Sequence, residues 1–274
     1  MTDQFIKERM YLKGVSPATV DWYRDSFKSF EGALDSKSTI IDRIAVLRGR
    51  NVKAVSINTW LRCINAYFMW LHKEHGKELV RIPKLKEEQK VLPTLHQGQT
   101  FALIHFRPGA SANLRRAHLV ALTILDCGLR ASEVLGLSKE DCDFDNLIFR
   151  VVGKGGKHRL VPFSCELRKA LWRYAQKSAG RILFGTKNDT KVSVRNLERD
   201  FHQLGQKLGI TGVRFSPHTL RHSFAVGYLR KGGNLFYLSK ILGHTSVKTT
   251  ERYLQSLGIE DLQAVHNGLS LLAR

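Results

Sequence analysis

Residues 216–253 read SPHTLRHSFAVGYLRKGGNLFYLSKILGHTSVKTTERY. The stretch is punctuated as helices. Ser216 is an N-cap residue and Pro217 suits the first helical position, so a helix opens here and runs to Gly232-Gly233. Asn234 caps a second helix that ends at Gly243, and Ser246 caps a third, with Tyr253 near its end. On the first helix His218 and Arg221 are three apart and share a face. His218 and His222 have the i, i+4 spacing of zinc hydrolases. However, Thr219 and not glutamate follows His218, and no third ligand is evident, so no metal is expected. Gly243 puts His244 at a helix C-terminus, where a proton on the imidazole is favoured and where it can donate to a phosphate.

Upstream of this stretch, residues 1–82 carry helical patterns. Ser16-Pro17 opens a helix with Val20, Tyr23, Phe27 and Phe30 at helical spacing. A second is predicted over 38–48, with Ile40, Ile41, Ile44 and Leu47 on one side. A third starts near Ser56 and carries Ile57, Trp60, Leu61, Ile64, Tyr67, Phe68 and Leu71. From Arg43 to Lys73 there are six basic residues and no acidic one. That excess suits a module lying on a nucleic-acid backbone, with Arg62 among its contacts. Pro83 and Pro93 bracket a polar, charged run, so 83–93 reads as a linker between two basic halves.

Residues 94–140 return to helical periodicity. The apolar run 118–125 is predicted to be a central core helix that stops at Gly128, and Arg130 sits in the turn before the next helix. The period then changes. Residues 147–152 read as a strand, Gly153-Lys-Gly-Gly156 as a tight turn, and 157–163 as the return strand, with Asp145-Asn146 turning from a short preceding strand. The glycines let Lys154 approach a groove closely. Lys157 and Arg159, on the return strand, are assigned to DNA contact. Amphipathic helices follow over 166–179, 193–208 and 259–272. The last carries an apolar stripe of Ile259, Leu262, Val265, Leu269 and Leu272. The fold class is therefore mainly α with a small antiparallel sheet. The expected domains are a helical one over 1–82, the linker over 83–93, and an α+β one over 94–274.

The composition narrows the partner. With 44 Lys and Arg against 24 Asp and Glu, the 274-residue chain carries a net charge of +20, which points to a polyanion. Residues 1–90 hold 17 basic and 11 acidic side chains and residues 91–274 hold 27 and 13, so both halves are positive. The four cysteines show no CxxC spacing and read as reduced thiols. The polar N-terminus lacks a signal core, and no apolar run approaches a membrane span. A soluble, cytoplasmic, nucleoid-associated protein with no membrane contact is expected.

Four segments taken in order, GLRASE (128–133), GKGGKHR (153–159), HTLRHSFA (218–225) and LGHTSVKTTERY (242–253), resemble the tyrosine recombinases, the phage integrase and Xer-like enzymes. The nine-residue step from His244 to Tyr253 fits as well. A weaker likeness to the family's helical core-binding domain covers 2–82, and no separate arm-site-binding module is expected before it. The resemblance implies a site-specific recombinase acting on double-stranded DNA. Arg130 and Arg221 would clamp the scissile phosphate, His218 and His244 would assist, and Lys154 would reach the minor groove. Tyr253 would attack to form a 3′-phosphotyrosine, and Glu133 would support the site. The resemblance also implies a homotetramer on two DNA sites, coupled through the C-terminal helix.

The physical chemistry fits that assignment. A free tyrosine has a pKa of about 10 and needs a base or a strong positive field to act as a nucleophile. Two arginines offer donor forks matched to phosphate oxygens. His218 is expected to take the tyrosine proton, and Lys154 to protonate the leaving 5′ oxygen. No cofactor, metal or ATP is called for. Two other readings share parts of this pattern: a type IB topoisomerase, which relaxes one duplex without joining two sites, and a DNA-binding regulator without catalysis.

Overall fold

The computed structural model describes residues 1–87, 92–153, 156–178 and 180–269, and Leu269 by its backbone only. Lys154, Leu272 and the rest of 270–274 lie outside the described residues. The chain divides into two compact units, Met1–Lys90 and Val91–Arg274.

The first unit is four helices: α1 (Thr2–Tyr11), α2 (Pro17–Ser29), α3 (Lys37–Gly49) and α4 (Ala54–His75). Ser16 caps α2, its hydroxyl accepting from the Thr19 N–H, with Pro17 at the first helical position. Phe5 of α1 is the centre of the core. Its ring meets Tyr23, Phe27, Tyr67 and Trp70 edge-on at 5.2–6.0 Å between centroids. Each such pair contributes roughly 0.5–1.5 kcal/mol beyond its burial. The Trp70 indole N–H also donates to Glu8 at 2.6 Å, so a polar-looking N-terminal stretch is anchored by one aromatic and one carboxylate. On α3, Ile40 and Leu47 are buried and Ile44 is half-buried, but Ile41 is exposed. Residue 41 is turned about 100° from residue 40 on a 3.6-residue helix, so it cannot share the stripe. The first part of the expected linker lies along α4. Asn65 exchanges hydrogen bonds with the backbone of Ile82, and the buried Asn58 does so with Leu85.

The second unit is built around α6 (Ala112–Cys127), which packs against α8 (Cys165–Lys177), α9 (Val194–Lys207) and α10 (Pro217–Arg230). Its buried residues run right round the helix, from Ala117 to Cys127, as a central helix requires. A short α5 (Gln97–His105) precedes it and a single turn, α7 (Ala131–Val134), follows. Gly128 ends α6 with φ +65°, and a Cβ there would stand 2.3 Å from the Phe224 ring. Only glycine meets both demands. The sheet is β1 (Cys142–Asp143), β2 (Ile148–Val152) and β3 (His158–Pro162), antiparallel in the order β1-β2-β3, with Ile148 opposite Pro162 and Val152 opposite His158.

The C-terminal part continues as α11 (Leu235–Leu242), α12 (Lys248–Glu251) and α13 (Ile259–Leu269). The helix expected over 246–253 is thus one turn only, and Tyr253 follows it at the start of a 3-10 turn. The run Val247-Lys-Thr-Thr250 is rich in β-branched residues of low helix propensity. Thr250, fully buried, spends its hydroxyl on His244 rather than solvent. Helix α13 packs on α10 through an Arg230–Asp261 ion pair at 3.1 Å. Ile259 and Leu262 nonetheless remain 68% and 53% exposed, so this docking leaves much of the apolar stripe uncovered. Among the described residues no helix is long and apolar enough to cross a membrane.

Candidate active site

Three chain segments far apart in sequence meet at the C-terminal end of α6: the 128–133 turn, the start of α10, and the end of α11 with the loop that follows. Arg221, on the inward face of α10, is 5% exposed. Its guanidinium donates to the carbonyl of Gly128 at 2.6 Å, to that of Leu242 at 2.9 Å and to His244 Nε2 at 3.1 Å. Burial, and then the nearby charge of Arg130, bring its pKa down to about 10, so it stays positive at neutral pH.

Arg130 caps α7 and is held by Glu133. The Glu133 carboxylate accepts from the Arg130 backbone N–H at 2.8 Å and from its side chain at 2.9 Å. The Arg130 side chain is 40% exposed, which leaves part of its fork open to solvent. Burial pushes the Glu133 carboxyl up. Hydrogen bonds from Arg159 and from the Arg130 backbone, and the charge of Arg159, outweigh that and hold it at about 2.

His244 differs from the expectation of a favoured proton. Burial, with the charges of Arg221, Arg130, Arg252 and Arg159, holds it at about 4. A guanidinium has no acceptor, so Nε2 must accept from Arg221, and the proton then lies on Nδ1, which donates to the Thr250 hydroxyl at 2.8 Å. The helix-end dipole is outweighed by four cations and by desolvation.

Tyr253 is 2% exposed, within a cluster of Ala225, Val226, Leu229, Leu238 and Leu242. Its hydroxyl lies 3.3 Å from Nδ1 of His222. The residue at the hydroxyl is therefore His222 and not His218. His218 is exposed one turn away, with 6.4 Å between the two ring centroids. Burial, then the charges of Arg252, His218 and Arg221, hold His222 at about 4, so it is neutral at pH 7. The sequence signal for His222 is its i, i+4 relation to His218, which puts both imidazoles on one face of α10.

The structure therefore brings Arg130, Glu133, Arg221 and His244 together and buries Tyr253 against His222. Lys154 is outside the described residues. Of the residues assigned to DNA, Lys157 is exposed. Arg62 is exposed too, its guanidinium 5.7 Å from the Trp22 ring centroid. Arg159 is different. It turns inward onto Glu133 and the Ile241 carbonyl, because a buried carboxylate attracts the nearest fork more strongly than solvent does. The four cysteines are free, and Cys63, Cys127 and Cys142 are buried.

Residues 93–258 match the family model of the phage integrase family, and the chain belongs to this family of tyrosine recombinases, DNA-binding enzymes of site-specific recombination. Among its relatives is the tyrosine recombinase XerC of Chromobacterium violaceum, 30% identical over 97% of this chain and 93% of that protein. Another is the tyrosine recombinase XerA of Pyrococcus furiosus, 31% identical over 88% of this chain and 85% of that one. The fold is that of the integrase of transposon Tn1549, solved with a circular-intermediate DNA (TM-score 0.78, 18% identity, 98% and 99% of the two chains). It is also that of the XerH recombinase bound to a palindromic difH substrate (TM-score 0.75, 17% identity, 100% and 85%).

Proposed function

We propose that this chain cuts and rejoins DNA strands at specific sites through a 3′-phosphotyrosine made by Tyr253. The observation that carries the reading is the convergence of Arg130 and Arg221 beside His244, with Tyr253 on the segment that directly follows it. Two cationic forks at the end of a core helix form a pre-set array of donors for the two non-bridging oxygens of a phosphodiester. The Tyr253 oxygen attacks phosphorus as the bond to the 5′ oxygen breaks. The phenol proton passes to an imidazole of the α10 pair, and Lys154 protonates the leaving 5′ oxygen. A 5′ hydroxyl from another strand then reverses the step, with no ATP. An arriving phosphate offsets the cations that keep His244 neutral, which restores its ability to donate.

The Tyr253 hydroxyl is buried on His222, so attack requires the 245–258 segment to move. The exposed stripe of α13 supports a hand-over of that helix to a neighbouring subunit in a homotetramer on two DNA sites, which would pull on this segment. The helical unit 1–82, with Arg62 exposed over Trp22, is read as the core-binding, DNA-binding domain. The circular-intermediate DNA bound by the Tn1549 integrase and the difH substrate bound by XerH support the same partner. A cytoplasmic, nucleoid-associated location follows from that partner.

The test is a nicked suicide substrate made from whichever flanking DNA the purified chain protects from nuclease. Wild type should form a covalent adduct, also in excess EDTA. Tyr253→Phe should bind equally and form none. An adduct with Tyr253→Phe would mean another nucleophile. No adduct with wild type would favour a DNA-binding regulator, and relaxation without joining of two sites would favour a topoisomerase.

A further inference from the structure

We infer that Arg159 is a positioning residue: it clamps Glu133 so that the Arg130 fork stays directed at the phosphate, and ties that clamp to the segment bearing His244. The inference rests on Arg130 being a phosphate ligand, as proposed above.

Arg159 leaves β3 inward and is 14% exposed. Its two terminal nitrogens donate to the two oxygens of Glu133 at 2.9 and 2.8 Å, and its Nε–H donates to the Ile241 carbonyl at 2.9 Å. Glu133 takes two more bonds from Arg130, one on each oxygen. An ionised carboxylate offers about four lone-pair sites, and all are filled. Without Arg159, two sites fall vacant on a buried anion. The nearest guanidinium with an uncommitted edge is Arg130, and it would close over Glu133 bidentately. The donors it commits there come from the part of its fork that is now open to solvent. Arg159 thus competes for Glu133 so that Arg130 does not have to.

The second tie reaches His244. The Ile241 carbonyl is at the end of α11, and Gly243 follows with φ +65°. A Cβ at 243 would stand 2.9 Å from Cζ and Nε of Arg159. The backbone leading into His244 is therefore shaped around this guanidinium. One side chain joins β3, the turn of Arg130 and the loop of His244, bridging 26 and 82 residues of sequence.

The test uses the full chain on the protected DNA, with adduct rate, DNA affinity and thermal midpoint measured together. Arg159→Gln should lower the adduct rate about ten- to a hundredfold, less than the 10²–10³ typical of removing a direct donor. DNA affinity should stay within about threefold. On an Arg130→Ala background the same change should add less than about threefold, since the residue it acts through is gone. If Arg159→Gln does not fold, Arg159→Lys, which keeps the charge but cannot serve both Glu133 oxygens and the Ile241 carbonyl at once, should show the same loss. A wild-type rate in the folded variant would overturn the inference. So would full multiplication of the two losses, or a loss of affinity that matches the loss of rate. Glu133 ionisation, followed by carbon-13 NMR, is independent of DNA cleavage. It should titrate near 2 in wild type and rise towards the ordinary carboxylate range in Arg159→Gln. A wild type without adduct overturns the functional reading alone, and the clamp is then decided by this titration, an unchanged Glu133 refuting it.

Discussion

Replacing Arg221 with lysine keeps the charge and removes the fork. In the structure that fork serves the Gly128 carbonyl, the Leu242 carbonyl and His244 Nε2, on two separate segments, at 2.6, 2.9 and 3.1 Å. An ammonium is one compact centre and cannot span all three, so at least one buried carbonyl loses its donor, and in a poor fit both do. Each costs about 1–3 kcal/mol, so stability should fall by roughly 1–6 kcal/mol. For a unit of this size that is a drop of roughly 2–24 °C in thermal midpoint. Loss of bidentate contact with the phosphate should cost a further factor of about 10² to 10³ in the rate of adduct formation. The assay is single-turnover cleavage of the nicked substrate, run well below the variant's midpoint so that unfolding does not enter. A lysine variant that cleaves within about threefold of wild type at unchanged affinity would refute the reasoning, because a point charge would then suffice.

Three other outcomes are expected. His222 and His244 are both held at about 4 against an ordinary 6.5, so the unfolded chain binds protons that the folded one refuses. Stability should be fully present above pH 6.5 and decline as pH falls towards 4, with Glu133 adding to the loss below 4.5. A thermal midpoint that stays level between pH 7 and 5 would contradict this. Deleting residues 259–274 should leave binding to a single half-site nearly intact and sharply reduce cooperative assembly and strand exchange in gel-shift and joining assays. Recombination at the full rate would rule out the hand-over of α13. Arg62→Ala should weaken DNA binding at low salt by an amount that shrinks as salt rises, through counterion release, and unchanged low-salt affinity would place α4 away from DNA.

Much of this protein is legible in its sequence because the signals are local. Ser16-Pro17 and Ser216-Pro217 set helix starts within one turn of chain, Gly128 and Gly243 set helix ends through their own φ, and the change to period two marks β2 and β3. The set of Arg130, Arg221, His244 and Tyr253 is likewise visible as ordered motifs. What only the tertiary structure decided is which donor meets which acceptor, and in what charge state. Arg159 looks like one more surface cation until Glu133, 26 residues away, is seen buried and short of partners. His244 looks like a protonated helix end until Arg221 and Arg130 surround it. His222, not His218, touches Tyr253, which follows the single turn of α12 and is buried among Ala225, Val226 and Leu229 of α10. Capping and periodicity act over three or four residues. Desolvation and Coulomb fields act through space, and they are set by neighbours that no short window of sequence contains.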